Sequence, residues 1–378
     1  MEPLLNLTPH KIPYLRTMAV NRIGRMLTLT TFGESHGPAI GGVLDGVPAG
    51  MPVNLEGVNE FMQRRRPGRS PYSSPRNEAD AIEWLSGLYN GHTLGSPIAF
   101  IIRNTDARPA DYADLENVFR PSHADYTYAA KYGVRDARGG GRSSARETAV
   151  RVAAGALLMP WLNSLGIYIQ GYVAQIGPHC SPKKTYSNHE IYSNPVHCPD
   201  PATAELMMQA IEQAKAEGNS LGGVVQCTVL GLPVGLGAPV YAKFNADMGA
   251  AMLSINAVRG IEWGEGFDMA SKTGAEVNDA FVNAAGSIET KTNHSAGVQG
   301  GITNGMPVQF RVAFKPTSTI AQPQETINQL GESISLQAAG RHDPCVVPRA
   351  VPIVEAMAAL VVADHLLAAK AYANLWNE

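Results

Sequence analysis

The stretch GGGRSSARET (139–148) sets three glycines, an arginine and two serines directly ahead of a run with helical composition. Glycines let backbone approach a ligand with no side chain in the way. A helix N-terminus carries unpaired N–H groups and a partial positive charge, and Arg142 and Arg146 add formal charge. Together these suit a bound phosphate or carboxylate. Ser144 and Glu147 also have the S-x-x-E spacing of a capping box, so a well-capped structural helix starting near Ala145 is the plainer alternative. The loop matches neither the GxxxxGKS/T nor the GxGxxG phosphate-binding pattern.

Histidine titrates near neutrality and serves as a general acid. His36 in GESHG and His123 in RPSHAD both fall in loop-like sequence, where a merely solvated histidine reads the same way. RHDPC (341–345) brings an arginine, a histidine and the Asp343 carboxylate together. KPTST (315–319) offers an ammonium and three hydroxyls, again suited to phosphate, although a polar turn would look alike. Thirteen of the twenty arginines lie between Arg64 and Arg151, a segment of net charge +4 in a chain of net charge −3. Arginine forks pair bidentately with carboxylate and phosphate, so a small polyanion is the ligand class this segment favours. Ion pairing with its own ten acids is the alternative for any single arginine. The acidic overall balance, with no recognition helix or aromatic-studded RNA motif, argues against nucleic acid.

The elements that must carry these residues come mixed. Alternation or apolar runs predict strands at 27–32, 83–89, 98–103, 167–176, 222–230 and 308–314. Helices are predicted at 59–66 (stopped by Pro67-Gly68), 111–118, 145–165 (bent or broken at Pro160), 201–217, 246–255 and 354–374, with a short helical turn at 326–329. Strands and helices do not alternate regularly, so the class is α+β rather than a doubly wound sheet. Residues 1–17 read as a disordered extension without the apolar core of a secretory signal, and 18–378 as one domain. No apolar run approaches the roughly 18 residues of a membrane span. Four cysteines, Cys180, Cys198, Cys227 and Cys345, show no framework spacing, which fits a reducing cytoplasm. The pairs His179-Cys180 and His197-Cys198 lack a finger or ribbon spacing, so no metal is expected.

Longer stretches resemble one family. TTFGESHGPAIGGVLDGVPAG, RRRPG, FRPSHADYTYAAKYG, RDARGGGRSSARETAVRVAAGA, MLSINAVRGIEWGEGF and GRHDPCVVPRAVPIVEAM are similar to the chorismate synthases, from about Met18 to near Leu367. The resemblance implies a single-domain sandwich with helices between antiparallel sheets, a homotetramer, and bound reduced FMN. It implies conversion of 5-enolpyruvylshikimate 3-phosphate to chorismate and phosphate by trans-1,4 elimination, with no net redox change. Carried over by motif, His36 would protonate the leaving phosphate, His123 would set the protonation of the flavin, and Asp343 would help remove the ring proton. Arg142, Ser143, Ser144, Asn256, Ala257, Gly300, Lys315, Pro316, Thr317, Ser318, Thr319 and Arg341 match flavin-contacting positions. Arg65, Arg120, Arg146 and Arg349 resemble substrate-facing arginines. Many members carry an arginine where this chain has Pro71. Either Arg69 or Arg76 substitutes, or the contact is missing. A non-catalytic flavin or phosphoanion binder with the same fold is the alternative function. An enzyme that reduces its own flavin with NADPH is a further one. No dinucleotide fingerprint is visible, so the expectation is an external reductant.

Overall fold

The first described strands are β1 (Arg22–Ile23), β2 (Thr28–Phe32) and β3 (Ala39–Asp45). In β2 the alternation of TLTTF turns Leu29 and Thr31 inward and Thr30 and Phe32 outward, as the pleat requires. This computed structural model describes residues 20–68, 72, 79–105, 115, 117–136, 138–337 and 343–373. Residues 1–17, most of the helix expected at 111–118, and Arg69, Pro71, Arg76 and Arg341 lie outside the described residues.

Helix α1 (Leu55–Arg65) follows, capped by Asn54, whose side chain accepts the Gly57 N–H at 2.9 Å. Its buried positions Val58, Met62 and Arg65 recur at helical spacing. Pro67 disfavours helical backbone at Arg66 and ends it. Next come β4 (Ile82–Trp84), a small hairpin of β5 (Leu88–Tyr89) and β6 (His92–Thr93), and β7 (Ile98–Arg103). The first sheet is antiparallel in the order β1-β2-β3-β7-β4.

Helix α2 (Asp125–Tyr132) and a 3-10 turn at Ala145–Glu147 lead to α3 (Thr148–Ser164), which runs through Pro160 without stopping. The second half holds β8 (Tyr168–Ile176), β9 (His179–Cys180), α4 (Asn188–Ile191), α5 (Pro201–Ala216), β10 (Gly223–Leu230), α6 (Phe244–Leu253), β11 (Val258–Trp263) and α7 (Gly274–Val277). Two hairpins follow, β12 (Phe281–Ala284) with β13 (Ser287–Thr290) and β14 (Val298–Gln299) with β15 (Ile302–Thr303). Then come β16 (Val308–Phe314), the hairpin of β17 (Gln324–Ile327) and β18 (Ser333–Leu336), and α8 (Val347–Ala373). The second sheet is antiparallel in the order β11-β16-β10-β8-β9.

The two sheets enclose the long helices. α3 packs on β2, β3 and β7, α8 packs on β8 and β10, and α3 and α8 pack on each other. The expected sandwich of helices between antiparallel sheets is the observed fold. Gly155 of α3 allows the helices to close, because a Cβ there would lie 2.4 Å from the Ala356 carbonyl oxygen. Val351, Val354, Met357 and Val362 of α8 are fully or almost fully buried, each worth roughly 1.5–3 kcal/mol over exposure. Against the expectation from sequence, the helix Val347–Tyr372 is apolar and long enough to cross a membrane, but 94% of its 18-residue apolar window is buried inside the fold, the setting of a core helix.

Several sequence-based boundaries need correction. The expected helical turn at 326–329 overlaps strand β17, and the strand expected at 83–89 is broken into β4 and β5. Helix α8 begins at Val347, well before the expected residue 354. Its first turns contain Pro348 and Pro352. Pro352 has no N–H for the Pro348 carbonyl, and Nδ1 of His197 lies 3.2 Å from that oxygen. A protonated Nδ1 donates where the proline cannot.

Candidate active site

His36 lies in the loop between β2 and β3, with Nδ1 3.0 Å from Ser35 Oγ. The ring rests against Gly139, where a Cβ would fall 2.4 Å from Nδ1. The first glycine of the GGGRSS loop therefore makes room for His36. Gly141, with φ +50, has open space beside its Cα, so close approach of a ligand remains available there. Ser35 N–H faces the Gly141 carbonyl at 3.4 Å. A cavity of about 240 Å³ opens between these loops and α2, with Glu34, Asp125, Tyr128, Arg135 and Ser143 in its wall. The reciprocal capping box at Ser144 does not form. Ser144 accepts the Arg146 N–H at 3.3 Å. Glu147 instead binds Thr31 Oγ1 and Arg151 Nε, each at 2.7 Å.

Asp80 gathers the arginines. Its side chain is fully buried and sits at φ +49. It accepts from Arg65 Nη1 at 2.6 Å and from Arg146 Nη1. Arg65 also donates to Thr148 Oγ1 at 3.2 Å, and Arg146 to the Arg103 carbonyl at 3.1 Å. Arg349 Nε donates to the Arg65 carbonyl at 3.0 Å, and its Nη1 pairs with Asp343. Burial pulls the Arg65 guanidinium down to about 10; Asp80 opposes this, while Arg349 and Arg146 add to it. Burial pushes the Asp80 carboxyl up, but Arg65 and Arg146 outweigh it and hold it below the usual range. Both groups are charged at neutral pH.

His123 occupies a third cluster. Its Nδ1 is 2.9 Å from the Pro121 carbonyl and its Nε2 2.8 Å from Thr319 Oγ1. The carbonyl can only accept, so Nδ1 carries the proton and Nε2 receives the threonine hydroxyl. Burial lowers the His123 pKa, and Arg120 and Lys315 lower it further. Lys315 Nζ bonds Ser318 Oγ and lies 3.3 Å from the Ser122 carbonyl. Burial lowers Lys315 as well, with Arg259 adding repulsion. Arg120 holds Asp125, the first residue of α2, bidentately at 2.7 and 2.8 Å.

Backbone contacts join this cluster to the glycine loop. Lys315 N–H donates to the Ala257 carbonyl at 2.9 Å, and Asn256 Nδ2 donates to the Ser143 carbonyl at 2.7 Å. Asn256 Oδ1 and Thr317 Oγ1 are buried with no hydrogen-bond partner among the described residues. Arg142 turns toward β2, donating to Thr31 Oγ1 at 2.6 Å and the Gly33 carbonyl at 3.2 Å. It there lines a separate cavity of about 480 Å³ with Arg25, Asp247 and Leu360. Gly300 sits at φ +61 in the turn of the β14–β15 hairpin, whose Gly301 carbonyl accepts the Phe244 N–H at 2.8 Å. That hairpin is tied to α6, the helix that leads directly into Asn256.

The structure thus links Arg65, Arg146, Arg349 and Asp343 in one network, and Ser143, Asn256, Ala257, Lys315, Ser318, Thr319 and His123 in another. Sequence reasoning missed Asp80, Asn104 and Arg259. Asp80 carried no local signal beyond its charge, and Arg259, although within MLSINAVRGIEWGEGF, was assigned no role. Asn104 followed a clear strand but gave no sign of its partners. Among the described residues no group of three or more His, Cys, Asp or Glu side chains is arranged to hold a metal ion.

The family model for chorismate synthase matches residues 27–367. The chorismate synthase of Porphyromonas gingivalis is 57% identical over 355 residues, covering 93% of this chain and 96% of that one. The chorismate synthase of Bacteroides fragilis is 53% identical over 350 residues, covering 92% and 98%. A solved crystal structure of a chorismate synthase superposes with a TM-score of 0.71 at 33% identity, covering 92% of this chain and 93% of that one.

Proposed function

The chain belongs to the chorismate synthase family, and on that premise we propose that it converts 5-enolpyruvylshikimate 3-phosphate to chorismate and phosphate with reduced FMN bound. It is a lyase: a C–H bond and a C–O bond break and no electrons are gained or lost overall. The observation that carries the residue assignment is the pair of networks around Asp80 and Lys315. One gathers three guanidiniums and the Asp343 carboxylate, and the other offers cations and hydroxyls beside unsatisfied buried polar atoms.

The residues present fit a reduced flavin. Asn256 Oδ1 needs a donor, which a reduced isoalloxazine offers as N–H, and Thr317 Oγ1 needs a partner of its own. Lys315 and Arg259 repel each other unless an anion such as the flavin phosphate lies near them. Ser143, Ser144, Asn256, Ala257, Gly300, Lys315, Pro316, Thr317, Ser318, Thr319 and Arg341 would hold it, with the Arg142 side chain, turned toward β2, outside that set. Reduced FMN, when bound, supplies electron density to the allylic system.

The chain's own groups bind the substrate and move protons. Arg65, Arg146 and Arg349, with Arg120 and Arg69, gather its carboxylates and phosphate, each charge-assisted bond contributing about 1.5–3 kcal/mol. Asp343 takes the ring proton, steered by Arg349. The C–H electron pair forms a new double bond, the existing double bond shifts, and phosphate leaves with the C–O pair. His36 gives phosphate its proton. His123, neutral before the flavin arrives, receives a proton or a hydrogen bond beside the bound anion. One catalytic domain spans 18–378 and assembles as a homotetramer in the cytoplasm, with the flavin reduced by an external source.

The deciding experiment is an anaerobic phosphate-release assay with and without reduced FMN. Chorismate and phosphate should form in equal amounts only with the flavin present, and the flavin should remain reduced. Turnover without flavin, or one flavin oxidised per phosphate released, would overturn the reading.

A further inference from the structure

Asn104, the first residue past β7, joins the His36 loop to the arginine cluster. Its Nδ2 donates to the Glu34 carbonyl at 3.0 Å and to the Gly37 carbonyl at 2.8 Å. These two carbonyls flank His36 in sequence. Its backbone N–H donates to the Pro38 carbonyl at 3.2 Å. Its Oδ1 accepts from Arg146 Nε at 2.9 Å. We propose that Asn104 is a positioning residue that fixes His36 in register with Arg146 for the elimination.

The geometry follows from the sheet. β3 and β7 pair with Ala39 opposite Arg103, so the next step of the ladder sets Asn104 opposite Pro38. The side chain then reaches back along the loop. Both amide hydrogens are used on carbonyls and the amide oxygen on a guanidinium. The opposite amide orientation would set oxygen against two carbonyl oxygens and N–H against Arg146, so the network fixes the assignment. Beside these, Gly37 N–H to the Glu34 carbonyl at 3.1 Å lies within the loop, Ser35 N–H reaches the Gly141 carbonyl at 3.4 Å, and Arg142 Nη1 holds the Gly33 carbonyl at 3.2 Å. Aspartate lacks the two donors, and serine and alanine lack the reach. Only an asparagine-like amide satisfies all three partners at this backbone position.

The inference rests on the reading of His36 as the proton donor, and the test separates the two. A double-mutant cycle combines Asn104→Asp with His36→Ala, measured as anaerobic phosphate release with reduced FMN, alongside FMN affinity and thermal melting. Asn104→Asp keeps an oxygen for Arg146 but repels both loop carbonyls. In the wild-type background kcat should fall roughly 10–100-fold, the effect of displacing a reacting group by about 1 Å. KM should change by less than about threefold, since the oxygen facing Arg146 remains. In the His36→Ala background the same substitution should change the rate by less than about threefold, because the group it positions is gone. FMN affinity should hold in both backgrounds. An equal fold loss in both backgrounds would overturn the proposal, as would no loss in either. If Asn104→Asp does not fold, Asn104→Ala carries the same cycle. Near wild-type turnover of His36→Ala alone would overturn the donor reading and this inference with it, a result visible in that single variant.

Discussion

A Cβ atom at Gly139 would fall 2.4 Å from Nδ1 of His36, well inside any real contact. Gly139 also sits at φ +154, where L side chains are strained. The glycine loop and the histidine loop are thus fitted to each other. Gly139→Ala should displace the imidazole and lower kcat roughly 10²-fold, while FMN titration gives near wild-type affinity. Unchanged kcat in Gly139→Ala would show that the His36 ring has no fixed seat.

Arg65 should matter for stability before it matters for substrate. It pairs with Asp80 where both side chains are almost wholly buried. Removing one partner of a buried ion pair costs about 3–5 kcal/mol. Urea unfolding of Arg65→Ala should show a loss of that order, accompanied by weaker substrate binding. Arg65→Lys should recover part of both, as a point charge replaces a fork. A stability change under about 1 kcal/mol would mean that Asp80 needs only Arg146.

His123 should take up a proton when the flavin binds. Burial, Arg120 and Lys315 all lower its pKa in the free protein, so it is neutral at pH 7. An anion placed beside it favours the imidazolium and raises the pKa. Calorimetric titration of FMN in buffers of different ionisation enthalpy should reveal net proton uptake near neutral pH, absent in His123→Asn. The same uptake in that variant would assign the proton to another group.

His197 should make the fold acid-sensitive. Burial pushes its pKa down to about 4, with Arg64 adding to the effect and the Pro348 carbonyl opposing it. The unfolded chain, near 6.5, then binds more protons than the folded one between about pH 6.5 and 4. Stability is fully present above that window and is lost as pH falls through it, by up to roughly 3 kcal/mol. Urea unfolding at pH 7.5 and 4.5 should show a steeper acid loss in the native chain than in His197→Gln. Equal slopes would mean that the His197 ring takes up protons alike in the folded and the unfolded chain.

Strands β2, β7 and β16 were legible because one face of each is core, which writes period-two alternation into the sequence. The β17–β18 hairpin was not, since neither strand has a buried position and nothing constrains alternation. The capping spacing of Ser144 and Glu147 was present, yet Glu147 found stronger partners in Thr31 and Arg151. Family motifs pointed to His36, Lys315 and Arg349, but Asp80 and Asn104 act on residues distant in sequence. A single chain carries no local mark of such partners, and the fold alone reveals them.

Helix α8 follows every strand of both sheets in sequence, yet it fills the space between them. During synthesis, therefore, the inner face of β8 and β10 emerges before its cover exists. Until α8 leaves the ribosome, the second sheet keeps apolar side chains exposed, a state prone to aggregation. Growth of the polypeptide and closure of the fold are in this way out of step. A chain stopped before Val347 should stay protease-sensitive and bind chaperone, and compact resistance in that fragment would show that the sheets can find another cover.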